Sequence, residues 1–171
     1  EAVRSSTPQV CRELITDTLK KIVTSSESEV QKHIEELRVE YMNLSPEDIA
    51  FPRGVNGLDK YKSNADIYVK GTPIHVRGAL LYNYYVRKNK VSHKYAPIQE
   101  GEKIKFLYLK QPNPIGENVV SFMGTIPKEF NVDKYIDYNL QFNKSFYEPL
   151  KNVLQCIGWD SERKVSLLQF I

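Results

Sequence analysis

Between Arg53 and Lys94 the chain carries nine lysines and arginines against two acids, Asp59 and Asp66. Arg53, Lys60, Lys62, Lys70, His75 and Arg77 alternate there with Tyr61 and Tyr68. Cations spaced along a loop and a helix start can neutralise successive phosphates, and the free N–H groups of a helix N-terminus add a further anion site. Phosphate contacts position a protein without reading base sequence. The chemistry expected of this segment is therefore sequence-independent binding of duplex nucleic acid, although an ordinary solvated surface would account for the charge alone equally well.

The net charge of +3 hides this asymmetry. Residues 1–50 carry 6 basic and 10 acidic side chains, residues 51–110 carry 12 and 4, and residues 111–171 carry 6 and 7. A basic centre between acidic and near-neutral flanks is the electrostatic signature of a polyanion-binding face.

Other chemistry finds little support. His33, His75 and His93 are too scattered for a linear metal motif, and no acid or cysteine at helical spacing completes one. A hydrolase built on His75 or His93 has no spacing in its favour. Asp133 and Asp137 stand one helical turn apart, a pair that a helix dipole explains without a metal. Phosphate loops and nucleophile elbows are absent. Cys11 and Cys156 lack the spacing of a zinc or redox pair, and both are expected to be buried, reduced thiols.

With 171 residues, 41% hydrophobic, the chain can form one globular domain. No apolar run reaches membrane-spanning length and no secretory leader opens it, so the expected location is the cytoplasm and no membrane partner is expected. It begins at Glu1 without a methionine, directly in helix-start residues, as expected for part of a longer polypeptide.

The elements that must position the basic centre follow from periodicity. Thr7-Pro8 followed by Cys11, Leu14, Ile15, Thr18 and Ile22 predicts a helix over 8–23. Ser26 and Glu29 form a capping box for a second helix bearing Val30, Ile34, Leu37 and Tyr41, with Glu35, Glu36 and Glu40 toward water; the two pack as an antiparallel hairpin. Ser45-Pro46 predicts a short helical turn, followed by a long irregular loop through Gly54, Gly57 and Gly71. Thr72-Pro73 predicts a third helix with Val76, Leu80 and Tyr84 on its inner face and Gly78 as an anomaly. Alternation over 103–109 predicts a strand whose partner is 119–123. From Val132, the residues Tyr135, Tyr138, Phe142, Phe146, Leu150, Val153 and Ile157 predict a long helix that Pro149 bends or interrupts. The fold class expected is α+β, mainly α: a helical hairpin and further helices with a small antiparallel β element.

The strings EAVRSSTPQV (residues 1–10), GTPIHVRGALLYN (71–83), EGEKI (100–104), NPIG (113–116) and SLLQFI (166–171) resemble, in the same order, the C-terminal end of replicative family B DNA polymerases of large tailed bacteriophages. The central string is the most specific. The resemblance implies a polymerase thumb over 1–160 that wraps primer-template duplex beside a palm domain, and a clamp-binding tail over 161–171. Lys60, Lys70, Thr72, His75, Arg77 and Lys144 match positions where such thumbs present DNA-facing groups, joining Arg53, Tyr61 and Lys62 from the charge pattern. Glu148 departs from the pattern, since relatives can carry lysine before that Pro-Leu. Ser166, Leu167, Leu168, Phe170 and Ile171 would engage the sliding clamp. No cofactor is expected within the segment, because the magnesium and the catalytic aspartates of such enzymes belong to the palm, so the chain alone is expected to be inactive. A separately encoded accessory subunit of a phage polymerase is the alternative.

Overall fold

The computed structural model describes residues 5–163, which form two compact units. Residues 45–141 make up one; residues 5–44 and 142–163 make up the other. In chain order the elements are α1 (Gln9–Thr24), α2 (Glu27–Tyr41), α3 (Pro46–Ile49), β1 (Phe51–Gly54), α4 (Leu58–Tyr61), α5 (Ile74–Lys88), β2 (Lys103–Tyr108), β3 (Val119–Phe122), α6 (Tyr138–Phe142), a π-helical turn (Asn143–Tyr147) and α7 (Glu148–Cys156). The α+β, mainly helical class read from the sequence is borne out.

In the first unit α1 and α2 pack on each other, and the capping box forms as predicted: the Ser26 hydroxyl accepts from the Glu29 N–H while the Glu29 carboxylate accepts from the Ser26 N–H. Tyr41 meets the edge of Phe142 with ring centres 5.1 Å apart, and Phe142 lies 5.0 Å from Phe146. The Arg38 guanidinium sits 4.6 Å from the Phe142 ring centre and donates to the Asn143 side chain at 3.2 Å. After α7 the chain is tied back to α2, where the Gln31 amide donates to the Asp160 carbonyl (2.9 Å) and the Asp160 N–H donates to the Glu27 carboxylate (2.8 Å).

The expected long helix differs in two ways. Residues 133–135 form a 3₁₀ turn, Ile136 is extended, and α6 begins only at Tyr138, where the Asp137 carboxylate accepts the Leu140 N–H at 3.0 Å. Asp137 is thus a capping group, as its place beside a helix start suggested. The buried stripe is Phe142, Phe146, Leu150 and Leu154 rather than one ending on Val153 and Ile157; Ile157 is exposed. Four residues overshoot an α-helical turn by about 40°, and the wider π turn absorbs that drift, so residues at a strict spacing of four stay on one side. Pro149, which lacks an N–H for a regular helical bond, follows directly on the π turn at the point where the helix returns to α geometry. Cys11 is buried beside the Ser145 hydroxyl at 3.3 Å, its thiol pushed up by burial, whereas Cys156 is exposed, contrary to expectation.

The second unit is built on a sheet of three antiparallel strands in the order β1-β2-β3. The predicted pair β2 and β3 is present, but β1 was expected to be loop. Pro52 and Gly54 disguise it, and both are tolerated because β1 is an edge strand; Phe51 pairs with Phe106 and Arg53 with Ile104. The buried Gln141 amide donates to the Ile49 carbonyl (3.0 Å) and its oxygen accepts the Tyr108 N–H (2.9 Å), linking α3 to β2.

Helix α5 lies on β3, and Gly78 explains how. A Cβ at that position would stand 2.1 Å from Ser121 Oγ and 3.1 Å from the Ser121 backbone nitrogen. The Ser121 hydroxyl donates to the His75 carbonyl at 3.2 Å, closing the contact. Helix propensity is sacrificed here for close approach of helix and strand. Gly78→Ala is expected to destabilise the chain by about 1–3 kcal/mol, read as a lower thermal midpoint, and Ser121→Gly in the same chain should restore part of the loss.

Candidate nucleic-acid interface

The basic residues singled out in the sequence fall into three groups. Arg53 and His75 meet over one ring. The Arg53 guanidinium, leaving β1, lies 5.9 Å from the Phe106 ring centre, and His75, in the first turn of α5, lies 6.4 Å from the same centre. Burial, and then the charge of Arg53, hold the His75 imidazole below its ordinary value of 6.5. The ring is therefore neutral near pH 7 and able to accept a proton when negative charge approaches.

Lys60, Tyr61, Lys62, Lys70 and Thr72 belong to the connection between β1 and α5. Lys60 is exposed on α4 with its ammonium 5.1 Å from the Tyr61 ring centre. This single turn of helix is held by Glu100, whose two carboxylate oxygens accept the N–H groups of Gly57 (2.6 Å) and Leu58 (2.9 Å). Gly57 caps it at φ 94°, in the left-handed region that glycine adopts without strain. The loop that follows is closed at its base by a bridge between Lys62 and Tyr68 and by the Val69 N–H bonded to the Tyr61 carbonyl at 2.9 Å. Lys62 and Lys70 flank it, both exposed. The Thr72 hydroxyl is turned back along the loop, donating to the Val69 carbonyl at 2.6 Å.

Arg77 is differently placed. Its guanidinium donates to the Asn118 side chain at 2.7 Å and lies 5.8 Å from the Tyr68 ring centre, while the Tyr68 hydroxyl donates to the Glu117 carboxylate. Arg77 thus fastens the 62–70 loop to α5 as much as it presents charge. Lys144 lies in the other unit, exposed on the π turn. Of the remaining histidines, His33 is half-buried and His93 exposed, and the clamp residues Ser166, Leu167, Leu168, Phe170 and Ile171 lie outside the described residues.

Sequence reasoning missed Tyr84, Arg87 and Lys88. Tyr84 was expected in the core, yet it is 36% exposed. Arg77, Tyr84 and Lys88 follow at seven and then four residues, a spacing that puts them on one helical face. The Lys88 ammonium stands 5.8 Å and 5.4 Å from the Tyr84 and Tyr85 ring centres. A cleft of about 960 Å³ opens between the side of α5 that carries Leu80, Asn83, Tyr84 and Arg87 and the 62–70 loop. Among the described residues no three His, Cys, Asp or Glu side chains converge as a metal site. Among those residues, too, no helix is long and apolar enough to cross a membrane.

Exposed cations and tyrosines are thus gathered on the unit built from the three-stranded sheet and α5. Comparison with known proteins adds a likeness over nearly the whole chain. Over 98% of its length the chain is similar to the DNA-directed DNA polymerase of Enterobacteria phage T4, with 33% identity, and to the DNA-directed DNA polymerase of Escherichia phage RB69, with 28% identity. It spans 18% of the length of each of these relatives. The resemblance read from the motifs is thereby borne out at the level of phage DNA polymerase. No protein-family model matches the chain.

The histidines give this chain a pH signature. His33 and His75 are both held below 6.5, in each case first by burial. The unfolded chain therefore binds more protons than the folded one as pH falls through 6.5, and stability drops until the folded-state values are passed. His75→Gln is expected to flatten the fall in urea midpoint on the acid side of 6.5, and an unchanged profile would show that the ring titrates alike in both states.

Proposed function

We propose that this chain is the thumb region of a phage family B DNA polymerase, with residues 1–160 holding primer-template duplex and residues 161–171 forming a tail that tethers the enzyme to its sliding clamp. The observation that carries the reading is similarity to DNA-directed DNA polymerases over 98% of the chain. On this reading the segment works in the cytoplasm of the infected host, needs no cofactor of its own, and leaves nucleotide transfer to the palm.

The geometry supplies a means of gripping DNA. Lys60, Lys62 and Lys70 are exposed on the β1–α5 connection, and Arg53 with His75 offers a second foothold on the same unit. A phosphate beside the neutral His75 ring favours its protonation, so binding takes up a proton and tightens below neutral pH. Tyr61, Thr72 and Arg77 complete the DNA-facing set of this unit, and Lys144 is the DNA-facing residue of the other.

Fluorescence anisotropy with a labelled primer-template duplex at several salt concentrations tests the grip. With about five phosphates neutralised, log affinity should fall against log salt with a slope near −4.5. Arg53→Ala and Lys60→Ala should each weaken binding several-fold and make the slope shallower by about 0.9. Affinity untouched by both changes would place the duplex elsewhere. For the tail, Phe170→Ala with Ile171→Ala is expected to abolish binding to the cognate clamp while leaving duplex affinity intact, and retention of clamp binding would refute the tether.

A further inference from the structure

From the cleft between α5 and the 62–70 loop, we infer a second site that takes a single nucleoside monophosphate unit, unpaired and with its base stacked on Tyr84. The volume of about 960 Å³ is at the upper end of the roughly 300–1,000 Å³ found for small-ligand sites. Its apolar floor comes from Leu58, Leu80 and Ile98. Tyr84 stands on the wall, 36% exposed, with its ring edge-to-face against Tyr85 at 5.1 Å. The Tyr85 hydroxyl is anchored on the Ile115 carbonyl at 3.0 Å, so the pair is held in place before a ligand arrives. An aromatic face fixed at the mouth of a cleft is a stacking platform open to any base.

The charges narrow the ligand further. Lys62, Lys70 and Arg87 line the cleft without an ion pair among the described residues. Two of the carboxylates in the lining are already engaged: Glu100 by the Gly57 and Leu58 N–H groups, and Glu117 by the Tyr68 hydroxyl. Asp59 and Asp66 are the other two. With four carboxylates to three cations the lining disfavours a triphosphate or the paired phosphate rows of a duplex, and one phosphate held by the cations beside a neutral base is the charge it suits. Lys62 and Lys70 belong both to this lining and to the proposed duplex grip, but Tyr84 and Arg87 belong to the cleft alone, and Arg53, Lys60 and His75 lie outside it, so changes at those residues separate the two. The inference shares with the proposed function only the premise of a nucleic-acid ligand.

The test is binding of fluorescein-labelled oligothymidylate and of free thymidine monophosphate to the full chain, set beside duplex binding by the same proteins. Tyr84→Ala and Arg87→Ala should each weaken oligothymidylate binding about tenfold or more and leave duplex affinity unchanged, while Tyr84→Phe, which keeps the ring, should bind as the parent does. Competition by free thymidine monophosphate would identify the free nucleotide as a sufficient ligand; lack of competition with binding retained would assign the site to a nucleotide within a strand. Absence of binding by both ligands overturns the inference, as does binding that survives Tyr84→Ala and Arg87→Ala together. Duplex binding lost with oligothymidylate binding kept would remove the duplex grip and leave the cleft standing.

Discussion

The distance between α5 and β3 at Gly78 governs the arrangement of the second unit. With no side chain on the helix and a serine on the strand, backbone approaches backbone closely enough for the Ser121 hydroxyl to reach the His75 carbonyl. That contact sets the height of α5 above the sheet. It seats His75 against Phe106 and holds Arg77 where Asn118 and Tyr68 can engage it. The side of the helix with Tyr84 and Arg87 is turned toward the 62–70 loop. Electrostatics on this unit is therefore a consequence of packing: the cations are where they are because a glycine lets the helix down onto the strand.

The basic segment that looked uniform in sequence is not uniform in space. Its members divide between a ring-mounted pair, an exposed run on the β1–α5 connection, and a fastened arginine that spends its hydrogen bonds on its own domain. Charge counting cannot make this distinction, because it has no access to which carboxylates and amides lie beside each cation. Glu100 and Glu117 are distant in sequence from Gly57 and Tyr68, yet they hold those residues directly.

What the sequence disclosed was mostly local. The capping box at Ser26, the amphipathic stripes of α1 and α2, the start of α5 after Thr72-Pro73 and the alternation in β2 all depend on neighbours within a few residues, and each is found close to where the pattern put it. Strand β1 was hidden because Pro52 and Gly54 are read as breakers unless the strand is known to lie at an edge. Tyr84 was assigned inward because the period of the helix does not say which sector the sheet covers and which the loop leaves open. For the candidate site, the cations were legible as a group, while the cleft, the Glu100 cap and the Tyr84 platform arise from long-range contacts that no window of sequence contains.

The π turn at residues 143–147 carries a consequence for how this segment can change over time. Its wide loop of backbone accommodates one residue more than a regular helix would, so loss of a single residue there would leave a helix with better hydrogen bonding than before. Five residues in the wide turn carry the chain about as far round the axis as four in a regular helix, so the same loss would leave Leu150 and Leu154 facing the interior. The length of this stretch is therefore not locked: it is the place in the helix where one residue can be shed while the packing of Phe142 on one side and of Leu150 and Leu154 on the other is kept.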